Sequence, residues 1–439
     1  MRMPKTRERV VITGMGVVCP LGNDVETYWQ GILSGRSGVN RTTIFDASTF
    51  PTTFSAEVKD YDFRSYVRRP HLHEKCSRGP AFALGAAAHA CRQAAIDVET
   101  EAPTDGIDRT RMGIYLGAGE GELGNDVFFA CIVAGWDPQR QQMIWERNTR
   151  LGFERMDPVR ELQQEPNMAV SHIAVLTGAR GPARSCLTAC AASTQAVGEA
   201  MMLIRRGDAD IMIAGGAHSM IHPLGVMGFS RLTALSRRND SPETASRPFT
   251  GSRDGFVLGE GAAILILESL SSARRRGVNI LAEVVGYGSS SDAFRITDMH
   301  EEARGPVQAM RAALADAGLT YRDIDYINTH GTSTQENDAI ETLAIKTVFQ
   351  ERAKQVPASS VKSMLGHLIG AAGAAELIAC VLAIRDRVVP PTINLHDPDP
   401  KLDLDYVPNL PRRMAVNTVM KESFGFGGQN NVVIVRRFS

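Results

Sequence analysis

Short runs of β-branched and aliphatic residues, each closed by glycine, alternate along the chain with stretches of helical periodicity. Arg9–Thr13 (RVVIT) reads as a buried strand, with Gly14, Gly16 and Gly22 punctuating the turn after it. Met112–Leu116 is a second strand, running into Gly117, Gly119 and Gly121, and Asp210–Ala214 is a third, closed by Gly215 and Gly216. Further strands are expected at Ala262–Leu267, Leu281–Val285, Tyr326–Asn328 and Asn431–Val435. Helical patterns fall at Tyr28–Ser34, Ala81–Val98, Leu270–Arg276 and Val307–Ala317, the last opened by Pro306, where proline is tolerated. Such alternation predicts an α/β architecture whose sheets are covered on both faces. The two halves share a coarse order of strands and helices, which permits a duplication. A boundary is expected near Gly277, dividing 1–277 from 278–439.

Composition narrows the class. The chain has 439 residues, 43% hydrophobic and 22% charged, enough for two cores or one large double core. A formal net charge of -1 argues against wholesale nucleic-acid binding, while leaving room for a local basic patch. Seven scattered cysteines, an odd number, read as reduced thiols of a cytoplasmic protein rather than a disulfide scaffold. Cys186 and Cys190 form a lone C-x-x-x-C without a second pair, so no metal site is expected. The start, MRMPKTRERVVITGMG, reads as a first strand and turn and not as a signal peptide. No uninterrupted apolar stretch is long enough for a membrane span.

Four segments carry candidate chemistry. In Arg184–Met202 (RSCLTACAASTQAVGEAMM) Cys190 sits among small residues just before a helix-compatible run, where a helix dipole favours the thiolate. An inert buried cysteine fits that segment as well when it is taken alone. Asn328–Glu341 (NTHGTSTQENDAIE) and Val361–Gly373 (VKSMLGHLIGAAG) each hold a histidine next to glycine, and Glu422–Asn430 (ESFGFGGQN) is a glycine-rich loop. Polar residues on loops at strand ends favour function.

The motifs TAC, HGTST, KSMLGH with its GAAG run, and FGFGG, together with SRPFTGSRDGFVLGEGA (Ser246–Ala262), resemble those of the β-ketoacyl–acyl carrier protein synthases, in particular the elongating branch. The likeness runs from about Val10 to the C-terminus, weakest over Asp126–Pro166. It implies the thiolase-like α/β fold: two similar halves forming a five-layered α-β-α-β-α core, as a homodimer. It implies a decarboxylative condensation that lengthens an acyl chain by two carbons, with no cofactor. Cys190 matches the nucleophile, His330 and His367 the two histidines, and Lys362 with Glu341 a supporting ion pair. Phe426 matches a gating phenylalanine, Phe229 and Phe256 aromatics of the acyl entrance, and Thr332 and Thr334 groups that hold the pantetheine arm.

The chemistry accounts for these residue types. A thiolate captures the acyl group. Backbone N–H groups of Cys190 and Phe426 would hold the tetrahedral oxyanion, and imidazole N–H groups of His330 and His367 the enolate left by loss of carbon dioxide. The partner implied is an acyl carrier protein. Because such carriers are acidic, Arg68, Arg69, Lys75 and Arg238 are the candidate contacts.

Other readings fit less well. The glycines of GMGVVCPLG and GAGEGELG match the dinucleotide fingerprint poorly. A thiolase proper would carry a cysteine after Cys380, and a chalcone-synthase-type enzyme would lack His367. A non-catalytic chain-length partner would lack Cys190. Three features depart from the family pattern: Glu120 in GAGEGEL, expected near the acyl pocket with Arg150 or Arg155 as its partner if it points inward; the long Asp126–Pro166 segment, read as a loop or surface lid; and Glu422 and Gln429, where asparagine and threonine are more usual. The first two point to a specialised pathway with an unusual acyl chain, or to drift beneath a surface cover.

Overall fold

The computed structural model describes residues 7–100, 102–119, 121 and 124–439. Its frame is a single ten-stranded sheet. The strands are Val10–Val18 (β1), Met112–Ala118 (β2), Ala183–Cys186 (β3), Ile211–His218 (β4), Gly261–Ser269 (β5), Ala282–Ser291 (β6), Tyr326–Asn328 (β7), Ala358–Ser359 (β8), Thr418–Gly425 (β9) and Gln429–Arg436 (β10). They lie in the order β8-β7-β9-β10-β6-β1-β5-β4-β2-β3. The centre, where β1 meets β6, is a short antiparallel contact of Val10–Ile12 with Ala282–Val284.

Each side of that contact repeats one pattern. On one side β1 pairs antiparallel with β5, β5 antiparallel with β4, β4 parallel with β2 and β2 parallel with β3. On the other, β6 pairs antiparallel with β10, β10 antiparallel with β9, β9 parallel with β7 and β7 parallel with β8. The coarse repetition in the sequence is therefore a repetition of topology.

The principal helices are Arg78–Gln93 (α1), Asn125–Gly135 (α2), Trp145–Arg155 (α3), Met168–Thr177 (α4), Ala192–Arg206 (α5), Arg304–Ala317 (α6), Gln335–Phe349 (α7) and Ala372–Asp386 (α8). α1 and α4 cover one outer face, and α6 and α7 the other. Between the sheet halves lie α5, packed on β2, β4 and β10, and α8, packed on β5 and β9. This gives the five layers of the thiolase-like core. The inner helices are rich in alanine and glycine because they must lie close. A Cβ at Gly373 of α8 would stand 2.0 Å from Thr194 Oγ1 of α5.

Several glycines sit inside strands rather than closing them. β1 runs through Gly14 and Gly16, and β4 through Gly215 and Gly216. A Cβ at Gly16 would meet the Ala86 carbonyl of α1 at 1.9 Å, so the β1 glycines let a helix backbone lie directly on the strand, whereas a Cβ at Gly215 would meet the Ala263 carbonyl of β5 at 2.0 Å. Asp126–Pro166 is also not a loop. It holds α2, α3 and a short helix Pro158–Leu162, with α2 packed on α3. Helix α3 leaves Trp145 and Phe153 exposed. No helix among the described residues is long and apolar enough to cross a membrane.

Candidate active site

The repeated topology delivers two similar helix starts to one place. Ala189–Ala191 forms a 3-10 turn leading into α5, and Ile369–Ala371 forms one leading into α8. Each turn opens on a residue forced into the left-handed region, Ala189 at φ 46 and Ile369 at φ 47. Such strain is sustained only where the surroundings over-determine it. The first turn carries Cys190; His367 lies two residues before the second. His330 follows β7 directly.

The ligating atoms of Cys190, His330 and His367 all lie within 4.8 Å of one another, and all three residues are buried. The rings of His330 and His367 stand nearly perpendicular, with centroids 5.5 Å apart. His367 Nδ1 accepts the Ile369 N–H at 3.2 Å, which puts the ring proton on Nε2. That Nε2 is buried and meets no partner among the described residues. His330 Nδ1 faces the Lys362 ammonium at 3.4 Å, so it too accepts and carries its proton on Nε2. Burial, then the Lys362 ammonium, holds both imidazoles neutral, well below the ordinary histidine range. The site therefore holds two neutral N–H donors beside a sulfur. A sulfur and two imidazoles at this spacing are also a donor set for a soft divalent ion. The fields of Lys362 and Lys421 on both rings work against adding a cation there.

The thiol differs from expectation. Burial pushes Cys190 up to about 11, and the Lys362 ammonium and the backbone N–H groups of Phe426 and Cys190 offset this only in part. A ready thiolate at a helix start is thus not the resting state, because desolvation outweighs the favourable dipoles. The two N–H groups nevertheless converge on the sulfur.

The expected Lys362–Glu341 ion pair is not formed. Lys362 Nζ bonds Glu376 Oε1 and donates to the His330 carbonyl at 2.7 Å. The other oxygen of Glu376 pairs with Lys421 at 2.7 Å, and all three side chains are at most 2% exposed. Glu341 instead accepts the backbone N–H groups of His330 at 2.5 Å and Gly331 at 2.7 Å. It anchors the loop, whereas Lys362 anchors the ring. Glu376 and Lys421 escaped the sequence reading. A charged residue flanked by apolar positions, as Glu376 is in AAELIA and Lys421 in TVMKESF, was the available signal.

A cavity of about 450 Å³ opens onto Cys190, His330 and His367. Phe256, Phe426, Thr332 and Thr334 line it, as expected, and the Thr332 and Thr334 hydroxyls lie 2.9 Å apart. Phe256 stands edge-on to His367, and Phe229 packs behind it in an apolar cluster with Ile221 and Val226. Phe229 is thus a second layer of the wall. Glu120 lies outside the described residues, and Arg150 pairs with Glu146 at 2.7 Å.

The basic candidates divide. The Arg237 N–H bonds Asp254 of the cavity lining, and Arg238 follows it in the chain without itself lining the cavity. Arg68, Arg69 and Lys75 lie on the stretch before α1, and none lines the cavity. Arg69 pairs with Glu99 at 3.8 Å and Lys75 with Asp157 at 2.5 Å.

Two family models match the chain. One, described as Beta-ketoacyl synthase, N-terminal domain, covers residues 7–273, and the other, Beta-ketoacyl synthase, C-terminal domain, covers residues 281–396. The chain is 42% identical over 432 residues to the 3-oxoacyl-[acyl-carrier-protein] synthase 2 of Coxiella burnetii, spanning 98% of this chain and 99% of that protein. It is 40% identical over 431 residues to the protein of the same name from Staphylococcus aureus (strain COL), again spanning 98% and 99%. Among solved structures it resembles the ishigamide ketosynthase/chain length factor, with a TM-score of 0.86 at 35% identity over 99% of this chain and 100% of that one. A type II PKS acyl-carrier protein in complex with its ketosynthase bound to the hexaketide matches with a TM-score of 0.84 at 34% identity, over 99% and 100%.

Removing a carboxylate shared by two buried ammonium groups leaves both uncompensated, at a cost of about 3–5 kcal/mol. Glu376→Ala is therefore expected to lower the denaturation midpoint sharply, measured by urea unfolding, whereas Glu146→Ala, at an exposed pair on α3, is expected to leave it within about 0.5 kcal/mol. Equal midpoints for the two variants contradict the role given to Glu376.

Proposed function

The chain belongs to the β-ketoacyl synthase family and is a condensing acyltransferase, and on that premise we propose that Cys190 is its nucleophile and that His330 and His367 carry its decarboxylation. The observation that supports this most is the orientation of the rings: each commits Nδ1 to the protein and keeps a neutral Nε2–H within the Cys190 cluster.

The reaction joins an acyl thioester and a malonyl thioester, each presented on acyl carrier protein. The Cys190 sulfur adds to the acyl carbonyl, and its proton leaves on the departing carrier thiol. The N–H groups of Cys190 and Phe426, already near the sulfur, hold the oxyanion. A malonyl thioester then enters the cavity. Its carboxylate departs as carbon dioxide, and the bonding electrons move onto the thioester oxygen as an enolate. Two N–H donors aimed at that oxygen stabilise it without giving up a proton; each such donor is worth on the order of a hundredfold in rate. The enolate carbon attacks the acyl–Cys190 carbonyl, the C–S bond breaks, and the thiolate takes a proton to restore the resting thiol. Neutral imidazoles suit this step, since a charged ring would favour the malonyl carboxylate as strongly as the enolate. In this reading the halves meet at Gly277, so the nucleophile comes from the first and both histidines from the second.

The partners read from the surface are an acyl carrier protein and a second copy of the chain. Arg238, next in the chain to Arg237 and its backbone bond to Asp254 of the cavity lining, supports docking of an acidic carrier. Strand β3 is an unpaired sheet edge, and the hairpin of α2 and α3 exposes Val133, Trp145 and Phe153, the last at 89%, which supports a self-association face.

Measured separately, the partial reactions test the mechanism. Cys190→Ala is expected to abolish acyl-enzyme formation with the fold intact. His330→Ala and His367→Ala are each expected to slow release of carbon dioxide by about a hundredfold or more while sparing acylation of Cys190. Full-rate carbon dioxide release in both histidine variants removes the enolate role. Sedimentation of the chain with and without acyl carrier protein tests the partners. A dimer is expected alone, with carrier binding that Arg238→Glu weakens more at low salt than at high salt. A monomer, or salt-independent binding by the variant, contradicts the respective reading.

A further inference from the structure

Behind the His330 loop the chain buries a second carboxyl that the reaction does not use. Glu422, on β9, is fully buried and lies against Glu341 of α7. Two ionised carboxylates in contact in a dry interior repel, so one of them must hold a proton. Geometry decides which. Glu341 receives the N–H groups of His330 and Gly331, donors that favour the charged form. Neither oxygen of Glu422 meets a donor among the described residues. We propose that Glu422 is a neutral carboxylic acid whose O–H donates to the Glu341 carboxylate, and that it positions His330 through that bond.

The surrounding charges agree. Glu376 is the ion-pair partner of both Lys362 and Lys421, and among the described residues no ammonium forms an ion pair with Glu422. The Lys421 ammonium, next in sequence, is turned to Glu376, Ser423 and the Glu422 carbonyl rather than to the Glu422 side chain. Asp338, the remaining acid of α7 at this loop, is occupied by the N–H groups of Thr332, Ser333 and Phe249 and by Arg253. Burial raises both acids, Glu341 to about 7, where its N–H donors offset part of the rise, and Glu422 well above the ordinary carboxyl range, where the Glu341 charge adds to burial and the Lys421 field offsets it in part. Glutamine can replace such an acid, because its amide donates in the same place without ionising, whereas leucine cannot.

The role rests on reading His330 as a decarboxylation donor, and the test separates the two. Infrared difference spectra of the whole protein at neutral pH, wild type minus Glu422→Gln, are expected to show a protonated-carboxyl C=O band that the variant lacks. Glu422→Leu is expected to slow carbon dioxide release about tenfold, the worth of one hydrogen bond to a charged group, with acylation of Cys190 little changed, and Glu422→Gln to recover most of that loss. A carboxylate band in place of the protonated one overturns the proposal, as does equal decarboxylation by the leucine and glutamine variants. If Glu422→Leu does not fold, the infrared comparison still decides. If decarboxylation survives even His330→Ala, the enolate reading fails, while the infrared result on Glu422 stands by itself.

Discussion

A lysine ammonium taken out of water costs several kcal/mol unless an anion and further acceptors meet it. Among the described residues two, Lys362 and Lys421, are buried against the one carboxylate of Glu376. That triad sits on α8, β9 and the short helix Lys362–Leu365, so it can form only when the inner helix and the second sheet half are docked. Its field reaches the rings. With burial it keeps His330 and His367 neutral, and the Lys362 contact on Nδ1 fixes the His330 tautomer. The chemistry assigned to the cavity follows from that fixed charge, since the rings can donate only if they neither ionise nor turn.

Duplicated topology supplies the frame for this arrangement. One strand order, used twice, places two helix starts back to back at α5 and α8, and each start is reached through a residue held at positive φ. Cys190 occupies one of them, and the Ile369 N–H that orients His367 belongs to the other. Close approach of the two helices needs small residues along their contact, which is why alanine and glycine recur in both sequences. The reactive trio is held because the turns and the loop that carry it are tied to rigid elements: the Cys190 turn leads into α5, and Glu341 of α7 holds the His330 loop.

Much of this was legible in the sequence, and the gaps have physical causes. The strand and helix alternation and the four motifs could be read directly, and the trio followed from the resemblance that those motifs carry. Strand ends could not, because Gly14, Gly16, Gly215 and Gly216 have the look of turn signals while serving close backbone approach, of α1 on β1 at the first two and of β5 on β4 at Gly215. The end of strand β9, Glu422–Gly425, reads as part of a glycine-rich loop because polar residues interrupt its apolar run. Those polar residues are compensated only in three dimensions. The resemblance pairs Glu341 with Lys362, but a matching motif does not say whether a carboxylate meets a side chain or a backbone N–H. The free thiolate was expected from helix position alone, and burial reverses it.

The central claim is that both imidazoles are neutral Nε2–H donors at rest. Nitrogen-15 NMR of the ring nitrogens of His330 and His367 in the intact protein reads this directly. The account predicts, for both rings, a bare Nδ1 and a protonated Nε2 that persist as the pH falls through the ordinary histidine range. An imidazolium signal at neutral pH, or protons on Nδ1 in both rings, would contradict it.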